Sequence, residues 1–86
     1  MDLNELRNRI DEIDDEILEL FEKRMELCRE IGEVKAKDSL PLENLKRERE
    51  IITSMREKAD SDLADYVEEL FEKIFHLSKE YQNEGR

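Results

Sequence analysis

The sequence predicts an all-α fold of three helices, one long, one short and one of medium length. Three observations carry this prediction. Apolar residues recur at alternating spacings of three and four, the period of a helix with one buried face. Ala, Glu, Lys, Leu and Arg supply more than half of the 86 residues, the bias of long helices and coiled coils. Only two glycines and one proline interrupt the chain, and no run alternates as a strand does.

The first helix is predicted from about Asn4 to about Lys37. Its apolar seam is Leu3, Leu6, Ile10, Ile13, Ile17, Leu20, Leu27, Ile31 and Val34. Pairs such as Glu19–Lys23 and Glu33–Lys37 lace its outer face at favourable helical spacing. Asp38-Ser39-Leu40-Pro41 then breaks it, because proline disfavours helix in the residue before it. Asn44 is the expected N-cap of the short second helix, which runs through Leu45, Ile51, Ile52 and Met55. Asp60 or Ser61 is expected to cap the third helix. Its apolar face reads Leu63, Tyr66, Val67, Leu70, Phe71, Ile74, Leu77 and Tyr81. Residues 83–86 are expected to fray.

The 86 residues read as a single domain with a small core of its own. A first helix of this length spans about 50 Å at ~1.5 Å per residue. A compact chain of this size has a radius of gyration near ~12 Å, so two shorter helices cannot cover the seam. A second copy alongside solves the problem, which predicts a symmetric homodimer. The formal net charge of −10 argues against nucleic acid or an acidic membrane as partner. Cys28 is the one cysteine, so no intrachain disulfide forms and a reducing compartment is expected. Cys28 itself reads as a small buried hydrophobe beside the seam. No N-terminal apolar stretch and no run of ~18 apolar residues is present, so the expectation is a soluble, cytoplasmic chain. His76 is the lone histidine, and no metal-ligand spacing appears.

Several polar residues stand where apolar ones belong. Arg24 occupies the seam position between Leu20 and Leu27, and desolvating a guanidinium is costly unless an anion meets it. Lys35 lies three helical turns on, on roughly the same face. Arg7 flanks the start of the seam. Arg47 and Glu48 stand between Leu45 and Ile51. Ser78 and Gln82 are four apart and share a face of the third helix. Taken singly, Arg7 reads as a snorkelling surface arginine and Lys35 as a solvated helix end. Ser78 alone reads as a packing residue, Gln82 as a polar helix terminus, and Arg24 as a register device in a coiled coil. Together they make a cationic set with one carboxylate and two neutral hydrogen-bonding groups. That set suits a small polyanion carrying a hydroxyl.

The run Leu6-Arg7, Ile10-Asp11, Ile13-Asp14, Leu20-Phe21, Arg24, Ile31-Gly32, Lys35, Pro41, Arg47-Glu48-Arg49, then Ser78 with Gln82, resembles the all-helical class of chorismate mutase over nearly the whole chain. The resemblance implies a three-helix protomer in an intertwined homodimer with two active sites. It implies conversion of chorismate to prephenate, on the route to phenylalanine and tyrosine, with no cofactor. By position it implies that Arg7 reaches into the partner's site to bind a substrate carboxylate. Arg24 and Arg47 then bind carboxylates within the protomer. Lys35 touches a carboxylate and the ether oxygen of the breaking bond, to which Gln82 also donates. Glu48 accepts from the ring hydroxyl, and Ser78 lines the carboxylate end. Asn44 stands where some members carry aspartate near the hydroxyl, and it keeps the capacity to hydrogen-bond. The stretch between the second and third helices is short here.

The implied reaction is a concerted pericyclic shift, which needs neither nucleophile nor proton transfer. Arginine forks on both carboxylates hold the compact conformer of the substrate, which is catalysis by orientation. Donors at the ether oxygen stabilise charge that builds as the C–O bond breaks, each worth ~3–4 kcal/mol. The sequence leaves two alternatives open. One is an isochorismate pyruvate lyase using much the same pocket. The other is a non-catalytic helical dimerisation module with Arg24 as register device, which leaves Arg47, Glu48 and Gln82 without a purpose.

Overall fold

A computed structural model describes residues 1–84 and contains three helices: α1 (Leu3–Lys37), α2 (Leu45–Lys58) and α3 (Ala64–Glu84). No strand occurs among the described residues. The all-α, three-helix expectation therefore holds, with α1 starting one residue earlier than predicted. The predicted fraying does not extend to Asn83 and Glu84, which are helical, while Gly85 and Arg86 lie outside the described residues.

Each helix end has a local cause. Asp2 caps α1 by accepting from the Glu5 N–H at 2.9 Å. At its far end, Ser39 adopts a left-handed conformation, φ 56°. The Leu40 N–H then donates to the Lys35 carbonyl at 2.7 Å and the Ser39 N–H to the Ala36 carbonyl at 3.2 Å. These are the two bonds of a Schellman motif, here with serine in the place that glycine usually takes. The helix is thus stopped before Pro41 is reached. Asn44 caps α2 as predicted, its side-chain oxygen accepting from the Arg47 N–H at 3.1 Å. The α3 start differs from the expectation. A turn closed by the Leu63 N–H on the Asp60 carbonyl, 2.9 Å, precedes the helix, which begins at Ala64.

α3 packs against both α1 and α2, which do not pack on each other. Arg56 fastens the α2–α3 corner, lying 2.9 Å from Asp65 and 3.0 Å from Glu68. The hydrophobic core of the single chain is very small: among the described residues, Ala64 and Phe75 are the buried apolar ones. Phe75 is absent from the predicted apolar face of α3, whereas Leu63, Tyr66 and Leu70 of that face are exposed. The inward face of α3 is rotated toward Phe71, Phe75, Ser78 and Gln82 because it must meet two helices at once.

All nine residues of the α1 seam are exposed, from Leu6 at 47% to Leu20 at 65%. The chain measures 54 × 26 × 15 Å, and its radius of gyration is 16.0 Å. That exceeds the ~12 Å of a compact domain of this length. No described helix is long and apolar enough to cross a membrane.

Candidate active site

The α1 surface that meets α3 lies to one side of the apolar seam. It carries Arg24, Cys28, Gly32 and Lys35, at spacings of four, four and three, so all project in one direction. Arg24 is therefore not a seam residue facing a coiled-coil partner. It turns toward α3, donating to Ser78 Oγ at 3.1 Å and to Cys28 Sγ at 3.4 Å. Its guanidinium sits 5.6 Å from the centroid of the Phe75 ring. Leu20 and Leu27, its seam neighbours, are exposed.

Between this face, the α2 N-terminus and the C-terminal half of α3 lies a cavity of about 320 Å³. Arg24 and Lys35 from α1, Asn44 at the α2 cap, Arg47 and Glu48 from α2, and Ser78 and Gln82 from α3 all line it. Seven of the eight residues singled out from sequence thus meet in one place, although they are spread over 59 positions of the chain. Arg7 does not join them. It is exposed near the start of α1, 17 residues from Arg24 and so about 25 Å away along the helix.

Framework bonds fix most of these groups yet leave donors free. Lys35 Nζ donates to the Leu42 carbonyl at 2.9 Å, and an ammonium has two further N–H groups. Gln82 Nε2 donates to the Cys28 carbonyl at 2.6 Å and keeps its second N–H. Ser78 Oγ donates to the Ile74 carbonyl at 2.7 Å while accepting from Arg24. Arg47 is more exposed and has only a loose 3.9 Å pairing with Glu50. Asn44 Oδ1 is occupied by capping, which leaves its amide N–H groups for the cavity.

Glu48 is the one cavity carboxylate. Its Oε1 lies 3.2 Å from Lys79 Nζ, whereas its buried Oε2 has no partner. A buried carboxylate oxygen left unpaired is costly, and it marks an acceptor that a ligand can satisfy. Lys79 also reaches Glu43 Oε1 at 2.9 Å. The bond to Glu43 holds its ammonium above the usual lysine range, with Glu48 adding to the effect and partial burial opposing it.

Sequence reasoning missed Lys79, and it placed Cys28 in a core where the structure makes it a cavity wall. A signal for Lys79 was present: it follows Ser78 and precedes Gln82 by three, so it shares their side of α3. Phe75, Ile31 and Ile51 supply the apolar wall. Chemically, the cavity offers four cations against one carboxylate, with hydroxyl and amide groups between them. Such a lining suits a compact molecule with more than one negative group and at least one hydroxyl, and it offers fixed donors rather than a nucleophile–base pair.

Residues 6–83 match the family model described as chorismate mutase type II. The chain is 42% identical over 79 residues to a bifunctional chorismate mutase/prephenate dehydratase of Aquifex aeolicus, covering 92% of this chain and 17% of that protein. It is 33% identical over 85 residues to the T-protein of Enterobacter agglomerans, covering 96% of this chain and 23% of that protein. A chorismate mutase of Methanocaldococcus jannaschii is 33% identical over 79 residues, with 92% of this chain and 78% of that protein covered. The chain therefore spans about a fifth of the two larger relatives and most of the third. With a match over nearly its full length and a cavity assembled from all three helices, the chain belongs to the chorismate mutase type II family.

Proposed function

We propose that this chain acts as a single catalytic domain that rearranges chorismate to prephenate, as a symmetric intertwined homodimer in the cytoplasm. The observation that carries the reading is the cavity itself. Arg24, Lys35, Arg47, Glu48, Ser78 and Gln82 converge on a space sized for one small dianion.

Chorismate enters with its enolpyruvyl arm folded over the ring. Arg24 and Arg47 hold its carboxylates, which selects the reactive conformer and removes its rotational freedom in advance. Glu48 Oε2 accepts from the ring hydroxyl, and the amide of Asn44 lies at the same end. The ether C–O bond breaks as the new C–C bond forms, and no proton moves. Negative charge that grows on the ether oxygen meets the remaining N–H groups of Lys35 and Gln82. Both donors are already held by the framework, so little reorganisation opposes the reaction. No cofactor is required for such a step.

Two observations support the dimer in this reading. The dimer covers the exposed apolar seam of α1, which a lone chain leaves in water. It also delivers Arg7 to the cavity from the partner, since Arg7 lies too far from Arg24 on its own helix to serve the same small molecule. Incubating purified protein with chorismate tests the reading: chorismate is consumed and prephenate appears. Release of pyruvate from isochorismate, without chorismate turnover, would assign the lyase reaction instead. A protein inactive on both sinks the enzymatic reading.

A further inference from the structure

We infer that Lys79 is a positioning residue of this site, holding Glu48 by one carboxylate oxygen so that the other is presented to the hydroxyl of the bound substrate. The inference rests on the reading above and adds a residue to it.

Among the described residues, Lys79 is the one cation within ion-pair distance of Glu48. The other three cavity cations are engaged elsewhere. Arg24 is on Ser78 and Cys28, Lys35 is on the Leu42 carbonyl, and Arg47 leans toward Glu50. Without Lys79, the Glu48 side chain has no directional partner and is free to rotate toward whichever cation it meets. The natural candidates are Arg24, Lys35 and Arg47, the groups reserved for substrate carboxylates. A carboxylate that neutralised one of them would remove both an anion-binding group and the hydroxyl acceptor. The pair with Lys79 prevents this. It takes up Oε1 at 3.2 Å and leaves Oε2 buried and unpartnered, with its accepting capacity intact.

Glu43 shares the same ammonium at 2.9 Å but is more exposed, with 55% of its side chain accessible against 20% for Glu48. Glu43 therefore anchors Lys79 from the rim, while Glu48 is oriented inside. The alternative is a plain clamp between α3 and the α1–α2 connection. That role places the weight on Glu43 and leaves the chemistry of the site indifferent to Lys79.

The test compares wild type with Lys79→Met, Lys79→Arg and Glu43→Gln. Two readouts are taken: kcat/KM for chorismate, and calorimetric affinity for two bicyclic dicarboxylate mimics of the transition state. One mimic carries the ring hydroxyl and the other lacks it. Lys79→Met should lose about tenfold in kcat/KM and in affinity for the hydroxylated mimic, and less than about twofold for the mimic without it. Lys79→Arg should keep at least about a third of wild-type kcat/KM, and Glu43→Gln should stay within about twofold of wild type. Equal losses on both mimics would overturn the inference in favour of a general electrostatic effect. A loss in Glu43→Gln matching that of Lys79→Met would overturn it in favour of a clamp. An active wild type with an unchanged Lys79→Met overturns the inference alone. A wild type without chorismate turnover overturns the functional reading and the inference with it.

Discussion

The side-chain amide of Gln82 donates to the backbone carbonyl of Cys28 at 2.6 Å, across a gap that Gly32 keeps open. A Cβ at position 32 would lie 3.1 Å from Gln82 Cγ and 3.2 Å from its Cβ, tighter than ordinary contact. Glycine here costs α1 about 1 kcal/mol of helix propensity relative to alanine, and it gives α3 a close approach. The return is a glutamine whose amide is fixed in orientation by the neighbouring helix.

Gly32→Ala separates stability from function on this ground. The gain in propensity is about 1 kcal/mol, and overpacking costs about 1–3 kcal/mol. The net is a loss of between about zero and 2 kcal/mol, so the melting temperature should fall modestly while the fold is kept. The displaced Gln82 should lose its bond to Cys28, and kcat should fall at least about tenfold. Thermal melts and steady-state kinetics on the one variant decide it; full activity would show that Gln82 need not be held there.

Arg24→Leu should also leave stability nearly unchanged. Ser78 Oγ keeps its bond to the Ile74 carbonyl, so no buried polar atom is orphaned. Loss of the cation–π contact with Phe75 costs about 0.5–1 kcal/mol, offset by removal of a partly desolvated charge. Activity should drop by about 100-fold or more, because a carboxylate loses its fork. A variant that melts much lower yet keeps its activity would make Arg24 a structural residue.

Arg7→Ala and Arg24→Ala should each be inactive alone and partly active when mixed and allowed to exchange subunits. One site of the heterodimer then holds an intact Arg7 from one chain and an intact Arg24 from the other. Native mass spectrometry verifies the exchange, and the chorismate assay reads the recovery. Exchange without recovery rules out a site shared between chains.

Gln82→Glu should make activity depend on pH. At neutral pH the introduced carboxylate faces the Cys28 carbonyl oxygen and an ether oxygen gaining negative charge. Only its protonated form can donate. A free glutamate titrates near ~4.3, and both the acceptor at 2.6 Å and a dianionic substrate push that upward. The variant should be nearly inactive at about pH 8 and recover strongly toward about pH 5, while wild type changes little over the range. Profiles of kcat/KM that run parallel for the two proteins would remove Gln82 from the breaking bond.

Lys79 predicts a stability change on the alkaline side. Its folded-state ionisation is raised above the ordinary 10.5, first by the hydrogen bond to Glu43 and then by Glu48. The proton is held more tightly in the folded chain than in the unfolded one. The stabilisation is therefore fully present below the unfolded value and is lost as pH rises through the folded one. Melting temperatures followed from about pH 9 upward should decline more steeply in wild type than in Lys79→Met above about pH 10.5. Coincident declines would mean that the pair contributes nothing to folding.

The sequence by itself determined the three helices, the Asn44 cap, the apolar seam of α1 and the shared face of Arg24 and Lys35. These are local properties: helical hydrogen bonds link residues four apart, and a face repeats every 3.6 residues. A cationic cluster that includes Glu48, Ser78 and Gln82 was legible for the same reason, since each stands on its own helix out of keeping with its apolar neighbours. Tertiary structure alone decided how the helices are rotated against one another. It turned Arg24 out of the seam toward Ser78, made Phe75 the core in place of Leu70, and moved Cys28 to a cavity wall. It also paired Lys79 with Glu48 and Gln82 with the Cys28 carbonyl, contacts that span 31 and 54 positions. Such pairings depend on how closely two helices approach, and at Gly32 a single missing methyl group sets that distance.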